Sequence, residues 1–293
     1  MKTLITLNHM QDMDALSPYV DGFIFGPSQY GARLACQLNN DQIESMIEKA
    51  FKLKKEVFIQ TNQLMMDQQL QDFKSFVLTL PTDKITGIIV SDLGVFQVLK
   101  KLNLGCKVVY NPETLLTNYY DLNMLANEHI FGAYAAKEIT FEDLNILSEH
   151  KQTKLFMIGH GHLNMFYSKR KLATNFKTQY EIEDQLHLNY DLKIIEENRK
   201  DEPFPILEDD AGTHVFRSHV MHVSHHLEKL SSMIDYLVID TIFKDSAYAL
   251  EIAKIYKDPT NEEKIENLKT SYHEVWDEGF FYKKTIYKQK VSI

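Results

Sequence analysis

Eight short runs of apolar and β-branched residues recur along this chain, at residues 3–7, 22–25, 57–61, 87–90, 107–110, 130–133, 155–158 and 236–239. Stretches with the amphipathic spacing of helices lie between them, at 41–53, 66–78, 93–102, 113–126 and 141–150. That alternation is the pattern of β-α units, in which each strand pairs in parallel with the next. Asn40 or Asp41, Asp67 and Thr140 stand where a side-chain oxygen would accept an orphan backbone N–H at a helix start.

Eight parallel strands fit either a closed barrel or a doubly wound open sheet, and the distribution of polar residues separates the two. A barrel carries chemistry at the C-terminal end of every strand, whereas an open sheet gathers it at one switch point. Here the polar residues recur. Asn8 and His9 end the first run, Tyr30 and Arg33 follow the second, and Gln60 and Asn62 close the third. Ser91 and Asp92 come after the fourth, Asn111 and Glu113 after the fifth, and Lys137 and Glu138 after the sixth. His160 ends the seventh, and Asp240 with Thr241 the eighth. The expected fold is therefore α/β, a TIM-like (β/α)8 barrel. With 293 residues, 44% of them hydrophobic, the chain can bury a core of that size.

The beat breaks between Gly161 and Met233, a gap far longer than an ordinary β-α connection. An excursion after strand seven is expected there, lying over the barrel mouth: short strands around the acidic turn near Asp209, then a helix whose polar side carries His219, His222, His225 and His226. The barrel domain spans 1–257, with the insertion at 161–233. Residues 258–293 form a C-terminal helix, at 261–271, and a strand-like tail at 279–291 that packs back on the body.

The segment His160 to Phe176 is the first candidate for a site, because it sets two histidines and the cations Lys169, Arg170 and Lys171 where a buried strand should end. A net charge of −9 argues against a surface attractive to nucleic acid as a whole, but it leaves room for local patches. One is that cationic segment; the other comprises Lys283, Lys284, Lys288 and Lys290, and either can be a solvated face. Cys36 and Cys106 are too few and too far apart for a disulfide framework or a thiolate cage. No apolar run has membrane-spanning length and the first residues lack a signal-peptide core, so the expected location is the cytoplasm, with no membrane partner.

Peptide hydrolysis would require an activated nucleophile, paired acids or a metal-bound water. No HExxH or GxSxG occurs, and Ser168 to Lys171 matches SxxK without its usual partner motifs. His160 and His162 would share a face of a continuing strand, with Glu208, Asp209, Asp210 and His214 as further metal ligands, yet a hydrogen-bonding or proton-transfer role for His160 is favoured over ligation, and no metal is expected. The residues expected to carry chemistry are Arg33, Asn111, Glu113, His160, Lys169, Arg170, Glu197 and Asp209. Glu113, His160 and Glu197 are the acid-base candidates. Arg33, Lys169 and Arg170 suit a carboxylate or phosphate, and Asn111 and Asp209 complete the substrate-binding set. The same mixed charges also fit an ion-pair network that anchors the excursion to the barrel.

Several segments carry a family resemblance: QYGARL at 29–34, NPETLLTNYY at 111–120, the His160-Gly161 pair with FYSKRKLATNF at 166–176, EENR at 196–199, PILEDDAGTH at 205–214 and GFFYKKTIYK at 279–288. In this order they resemble the collagenase-like peptidase family U32, most of all its short bacterial members, over nearly the whole chain. The resemblance implies a barrel-like domain with inserted elements. It also implies one of two activities: cleavage of collagen-like chains, or prephenate-dependent hydroxylation of the tRNA wobble uridine. Short members are often paired with a longer homologue whose cysteines hold an iron-sulfur cluster, and this chain lacks those cysteines. Asn164 stands where the family signature has a cysteine, and Asp240-Thr241 where it has Glu-Gly. The resemblance thus points to an accessory subunit in tRNA hydroxylation, with the longer homologue and tRNA as partners and no cofactor held by this chain; a peptidase and a non-catalytic scaffold module are the alternatives.

Overall fold

The computed structural model describes residues 1–283. Seven strands open the chain: β1 (Lys2–Thr6), β2 (Gly22–Phe25), β3 (Glu56–Gln60), β4 (Gly87–Val90), β5 (Val108–Tyr110), β6 (Gly132–Tyr134) and β7 (Lys154–Ser168). Between them lie α1 (Asp12–Leu16), α2 (Asn40–Lys52), α3 (Asp67–Thr79), α4 (Leu93–Lys101), α5 (Tyr119–Ala126) and α6 (Phe141–His150). The excursion contributes α7 (Leu172–Gln179), β8 (Lys193–Glu196), β9 (Arg199–Asp209), β10 (Gly212–His222) and α8 (Leu227–Met233). The chain then returns through β11 (Tyr236–Ile239), α9 (Ser246–Lys257), α10 (Glu262–Ser271) and β12 (Trp276–Asp277).

Strands β1 to β7 pair in parallel in chain order, and β11 pairs in parallel with both β1 and β7, so eight strands close into the expected barrel. Their residues alternate. Leu4, Ile24, Phe58, Ile89, Val109, Phe156 and Val238 point inward and fill the barrel, while Ile5, Phe23, Val57, Ile59 and Val90 pack outward under the helices. Strands buried on both faces read as continuous apolar runs, and this is why β2, β4 and β11 were legible. Phe156 and Tyr236 stack in parallel at 4.4 Å on the inside. Each outer helix buries one stripe, as α2 does with Ile43, Met46, Ile47 and Ala50.

Boundaries moved where side chains compete for caps. Asn39, not Asn40 or Asp41, caps α2, accepting the N–H of Gln42 while the Gln42 side chain accepts the N–H of Asn39. Asp67 is already the first residue of α3, whereas Thr140 caps α6 as expected. The helix expected from residue 113 begins only at Tyr119: Asn118 caps it, and Glu113, at φ 67°, cannot be helical.

The largest departure concerns β7. Expected to end at Ile158, it runs on to Ser168, because its upper half finds an antiparallel partner in β10 once the barrel strands stop. β10 pairs in turn with β9, and β9 with β8, forming a small sheet that stands on the barrel rim. Leu207 and Phe216 from that sheet bury themselves on Ile242, with Tyr190 and Phe243 alongside. Buried Glu208 accepts the N–H groups of Ala173 and Thr174 and so closes the start of α7. His219 and His222 lie on β10, and His225 and His226 in a short 3-10 turn, so the expected histidine-bearing helix does not form. In the tail, β12 pairs with β10 and Gly279 to Lys283 form a turn. The rest of the expected strand-like tail, with Lys284, Lys288 and Lys290, lies outside the described residues.

Gly212 opens β10 at φ +137°, and a Cβ there would come within 2.1 Å of the Ser168 carbonyl oxygen. Gly212→Ala is expected to cost about 3 kcal/mol in urea unfolding, since both backbone strain and a rigid backbone clash oppose it. An unchanged midpoint would contradict this account of the turn.

Candidate functional site at the barrel mouth

Above the apolar interior, each strand hands a polar residue to the mouth. Thr6, Gln60, Asn62, Asn111, Glu113 and Asp240 surround a small, partly open cavity of about 40 Å³, with Arg33 reaching in from the β2 loop and His162 and Asn164 from the upper half of β7. A groove of about 310 Å³, lined in part by Lys137, Tyr110, Phe166 and Tyr167, shares Arg33, Asn62, Glu113 and Asn164 with that cavity. The two are neighbouring parts of one mouth, partly covered by β7 and the excursion.

Its centre is one carboxylate between two cations. Glu113 accepts from the Arg33 Nη2 on one oxygen and from the Lys137 Nζ on the other. The Arg33 and Lys137 side chains are only 9% and 4% exposed, so both need that counter-charge. Burial pushes the Glu113 carboxyl up, but Arg33 and Lys137 together outweigh it and hold it below the ordinary range. Burial likewise lowers Lys137 despite the attraction of Glu113.

Both ends of the Arg33–Glu113 bridge have left-handed backbone, φ 55° at Arg33 and 67° at Glu113. Each is held by another side chain: Asp209 Oδ2 accepts the Arg33 N–H at 2.8 Å, and Asn111 Oδ1 accepts the Glu113 N–H at 3.2 Å. Asp209 also accepts from His214 Nε2–H at 3.0 Å and from the N–H groups of Ala211 and Gly212. With Nε2 donating, His214 Nδ1 is free to accept from Arg33 Nη1 at 3.3 Å. Burial lowers the His214 pKa, consistent with this neutral tautomer, and its ring stacks on Tyr167 at 4.8 Å. Strain in the paired residues of a mouth marks a built site, since it persists only where the surroundings enforce it.

Two asparagines that line the cavity use their oxygens on backbone N–H groups and keep their amide donors. The amide nitrogens of Asn62 and Asn111 have no hydrogen-bond partner among the described residues, although the Asn62 oxygen accepts the Ala32 N–H. Across from them, burial raises Asp240 to about 6, against weaker opposing bonds from the Ile242 N–H and the Thr6 hydroxyl. The mouth can thus donate to a carbonyl or carboxylate oxygen and exchange a proton near neutral pH.

Of the residues expected from sequence, Arg33, Asn111 and Glu113 meet at the mouth, with Asp209 bracing Arg33 from behind. Lys169 stands at the groove rim, donating to the Leu64 carbonyl at 2.6 Å, and Arg170 is exposed beside it. His160 and Glu197 are not in this group. Glu197 is exposed at the β8–β9 turn. His160 is fully buried on the outer side of β7: its Nε2–H donates to Tyr248 at 2.7 Å, and Tyr248 donates to Glu274. Its Nδ1 accepts from His222 at 3.2 Å, and burial holds its pKa well below the ordinary value. These bonds link β7 to β10, to α9 and to the segment that carries Glu274.

A register skip at Gly159 and a positive φ at Gly161 explain why His160 and His162 face different surroundings instead of sharing a side. Among the described residues no group of three or more His, Cys, Asp or Glu is placed to hold a metal ion. The Ser168 hydroxyl accepts the Arg170 N–H while Lys171 pairs with Asp210, so the SxxK match does not couple nucleophile to base. Lys137, Asn62 and Asp240 belong to the mouth although they were left out of the expected site. Their position one to three residues past a strand end was the available signal.

The sequence profile described as Peptidase family U32 matches residues 9–290. Among curated proteins, "tRNA hydroxylation protein P2" of Bacillus subtilis (strain 168) is 24% identical over 284 residues, covering 90% of this chain and 92% of that protein. "tRNA hydroxylation protein P1" of the same organism is 20% identical over 159 residues, which cover 54% of this chain and 38% of that protein. The solved structure of the U32 peptidase Mk0906 superposes with a TM-score of 0.53 at 13% identity, over 82% of this chain and 92% of that one, a likeness of fold.

Glu113→Gln should cost about 3 kcal/mol at neutral pH, because it leaves two buried cations unpaired, whereas Lys137→Met should cost roughly 1; urea unfolding of both variants checks the order. For Asp240 the sign is opposite. Its raised pKa penalises the folded state nowhere below pH about 4, increasingly as pH rises towards about 6, and fully above about 7. Asp240→Asn should therefore melt above the wild type at pH 8, by on the order of 2 kcal/mol, with the gap closing at pH 4. A gap of the same size at both pH values would refute that account of Asp240.

Proposed function

The chain belongs to peptidase family U32, and on that footing we propose that it is a subunit of tRNA wobble-uridine hydroxylation, acting with a longer member of the same family. The observation that carries this reading is the length of the match to the P2 protein, 90% of this chain and 92% of that one, which leaves no large part of either unmatched. The partial match to P1, only 38% of that protein, supplies the kind of longer relative the reading needs. Both relatives are named for tRNA hydroxylation.

In this reading the mouth binds and positions. Asn62 and Asn111 donate to substrate oxygen, Arg33 and Lys137 set the local potential through Glu113, and Asp240 gives or takes a proton. Any iron-sulfur cluster in the system is assigned to the longer partner, since Cys36 donates to the Leu7 carbonyl and Cys106 is exposed elsewhere. The reading places the protein in the cytoplasm with its tRNA. No helix among the described residues is long and apolar enough to cross a membrane.

Mass spectrometry of tRNA nucleosides provides the test, in a strain without a redundant hydroxylation route. Deleting the gene should remove 5-hydroxyuridine and the nucleosides made from it. The wild-type gene should restore them, and Asp240→Asn should leave them at least tenfold lower. Unchanged nucleosides in the deletion strain would end this reading.

A further inference from the structure

The groove beside the cavity has an apolar rim. Leu115 is 67% exposed, Phe166 47%, Met165 38% and Leu64 36%, all on one opening. Cations adjoin it: Lys169 reaches the Leu64 carbonyl, and the exposed Arg170 guanidinium makes no ion pair or hydrogen bond among the described residues. Inside the groove Arg33 and Lys137 outnumber their shared partner Glu113. Counting these five groups together with Asp209 behind Arg33 and Asp240 in the adjoining cavity gives four cationic and three acidic groups, a balance still positive in a chain whose net charge is −9. A local surplus of opposite sign to the molecule, set around an apolar slot, selects an anionic ligand with a flat unsaturated face.

We propose that this groove receives one unstacked base of a single-stranded RNA loop, with Phe166 as the stacking platform and Lys169 and Arg170 on the flanking phosphates. The inference rests on the tRNA reading above and adds to it the surface and the state of the substrate. The slot's volume, about 310 Å³, is at the small end for ligand sites and suits one nucleotide better than a duplex, whose bases stay stacked out of reach. Phe166 lies on β7 opposite Val215, so the platform is carried by a paired strand rather than a free loop. Asn62 shares groove and cavity, so an inserted base would present its polar edge to the unused amide donor.

The test measures binding of the purified full-length chain to a fluorescent RNA hairpin with a seven-nucleotide loop, about the size of an anticodon loop, and to a fully paired duplex of equal length. The hairpin should bind at least tenfold tighter. Phe166→Ala should weaken hairpin binding about tenfold, and the double variant Lys169→Ala/Arg170→Ala should both weaken it and lower the salt dependence by one to two counterions, roughly one per lost phosphate contact. These three residues are exposed or half-exposed, and matching melting curves would establish that the variants are folded. Equal binding of hairpin and duplex, no binding at low salt, or variants that bind like the wild type would each overturn the proposal. So would Phe166→Ala abolishing co-purification with the longer family member while leaving RNA affinity intact, which would make the rim a protein contact. Nucleoside analysis separates the two levels. If hydroxyuridine is lost on gene deletion but fully restored by the double variant, the groove assignment fails while the tRNA reading stands.

Discussion

One strand does two jobs, and the rest of the molecule follows from it. The lower half of β7 closes the barrel by pairing in parallel with β6 and β11. Its upper half leaves the barrel and pairs antiparallel with β10. A strand that outruns its neighbours exposes unpaired N–H and C=O groups, which must be satisfied or hydrated. The excursion satisfies them, so the small sheet is fixed to the rim by backbone bonds and not by side-chain contact alone. The skip at Gly159 lies at the junction: Phe156 and Ile158 face the barrel, His160 faces Tyr248 and His222, and His162 returns to the cavity.

The mouth's electrostatics depend on that covering. Glu113 bridges two cations, and one of them, Arg33, is held from behind by Asp209, which the β9–β10 turn delivers. Two side chains, Asp209 from the excursion and Asn111 from the same loop as Glu113, thereby brace a pair of residues with left-handed backbone. Such bracing costs conformational freedom, and its return is a fixed arrangement of charge before any ligand arrives. Outside the barrel, Glu274 plays a comparable part, accepting from Tyr248 and Trp276 and pairing with Lys244, so the C-terminal segment is tied to the end of β11.

Much of the barrel could be read from residues alone. The runs that became β2, β4 and β11 are apolar throughout because helices cover one side and the packed interior the other. Arg33, Asn111 and Glu113 were legible for a related reason: they lie in loops that follow such runs, at the mouth end of the barrel. At His160 the local pattern misleads, because the apolar run ends at Ile158 while the strand continues to Ser168. Among the residues that follow, His160, His162 and Asn164 are polar yet buried, since antiparallel pairing with β10 and partners such as Tyr248 and Arg217 satisfy them. Lys137 and Asp240 were seen as strand-end residues, but their partners lie on other loops, so nothing local marked them as members of the site.

The sequence by itself determined the number of β-α units, the side of the barrel that carries chemistry and the place where the regular beat is interrupted, because these follow from local periodicity and from which residues can be buried unpaired. Tertiary structure alone decided which charges meet. Whether Glu113 would face Arg33 and Lys137 or water depended on loops from separate strands meeting at the mouth, and whether His160 would line the cavity or the outer wall turned on a one-residue slip in the pairing of β7 with β11, two strands far apart in the chain. A period of two residues converts such a slip into a change of face, and no local pattern records it.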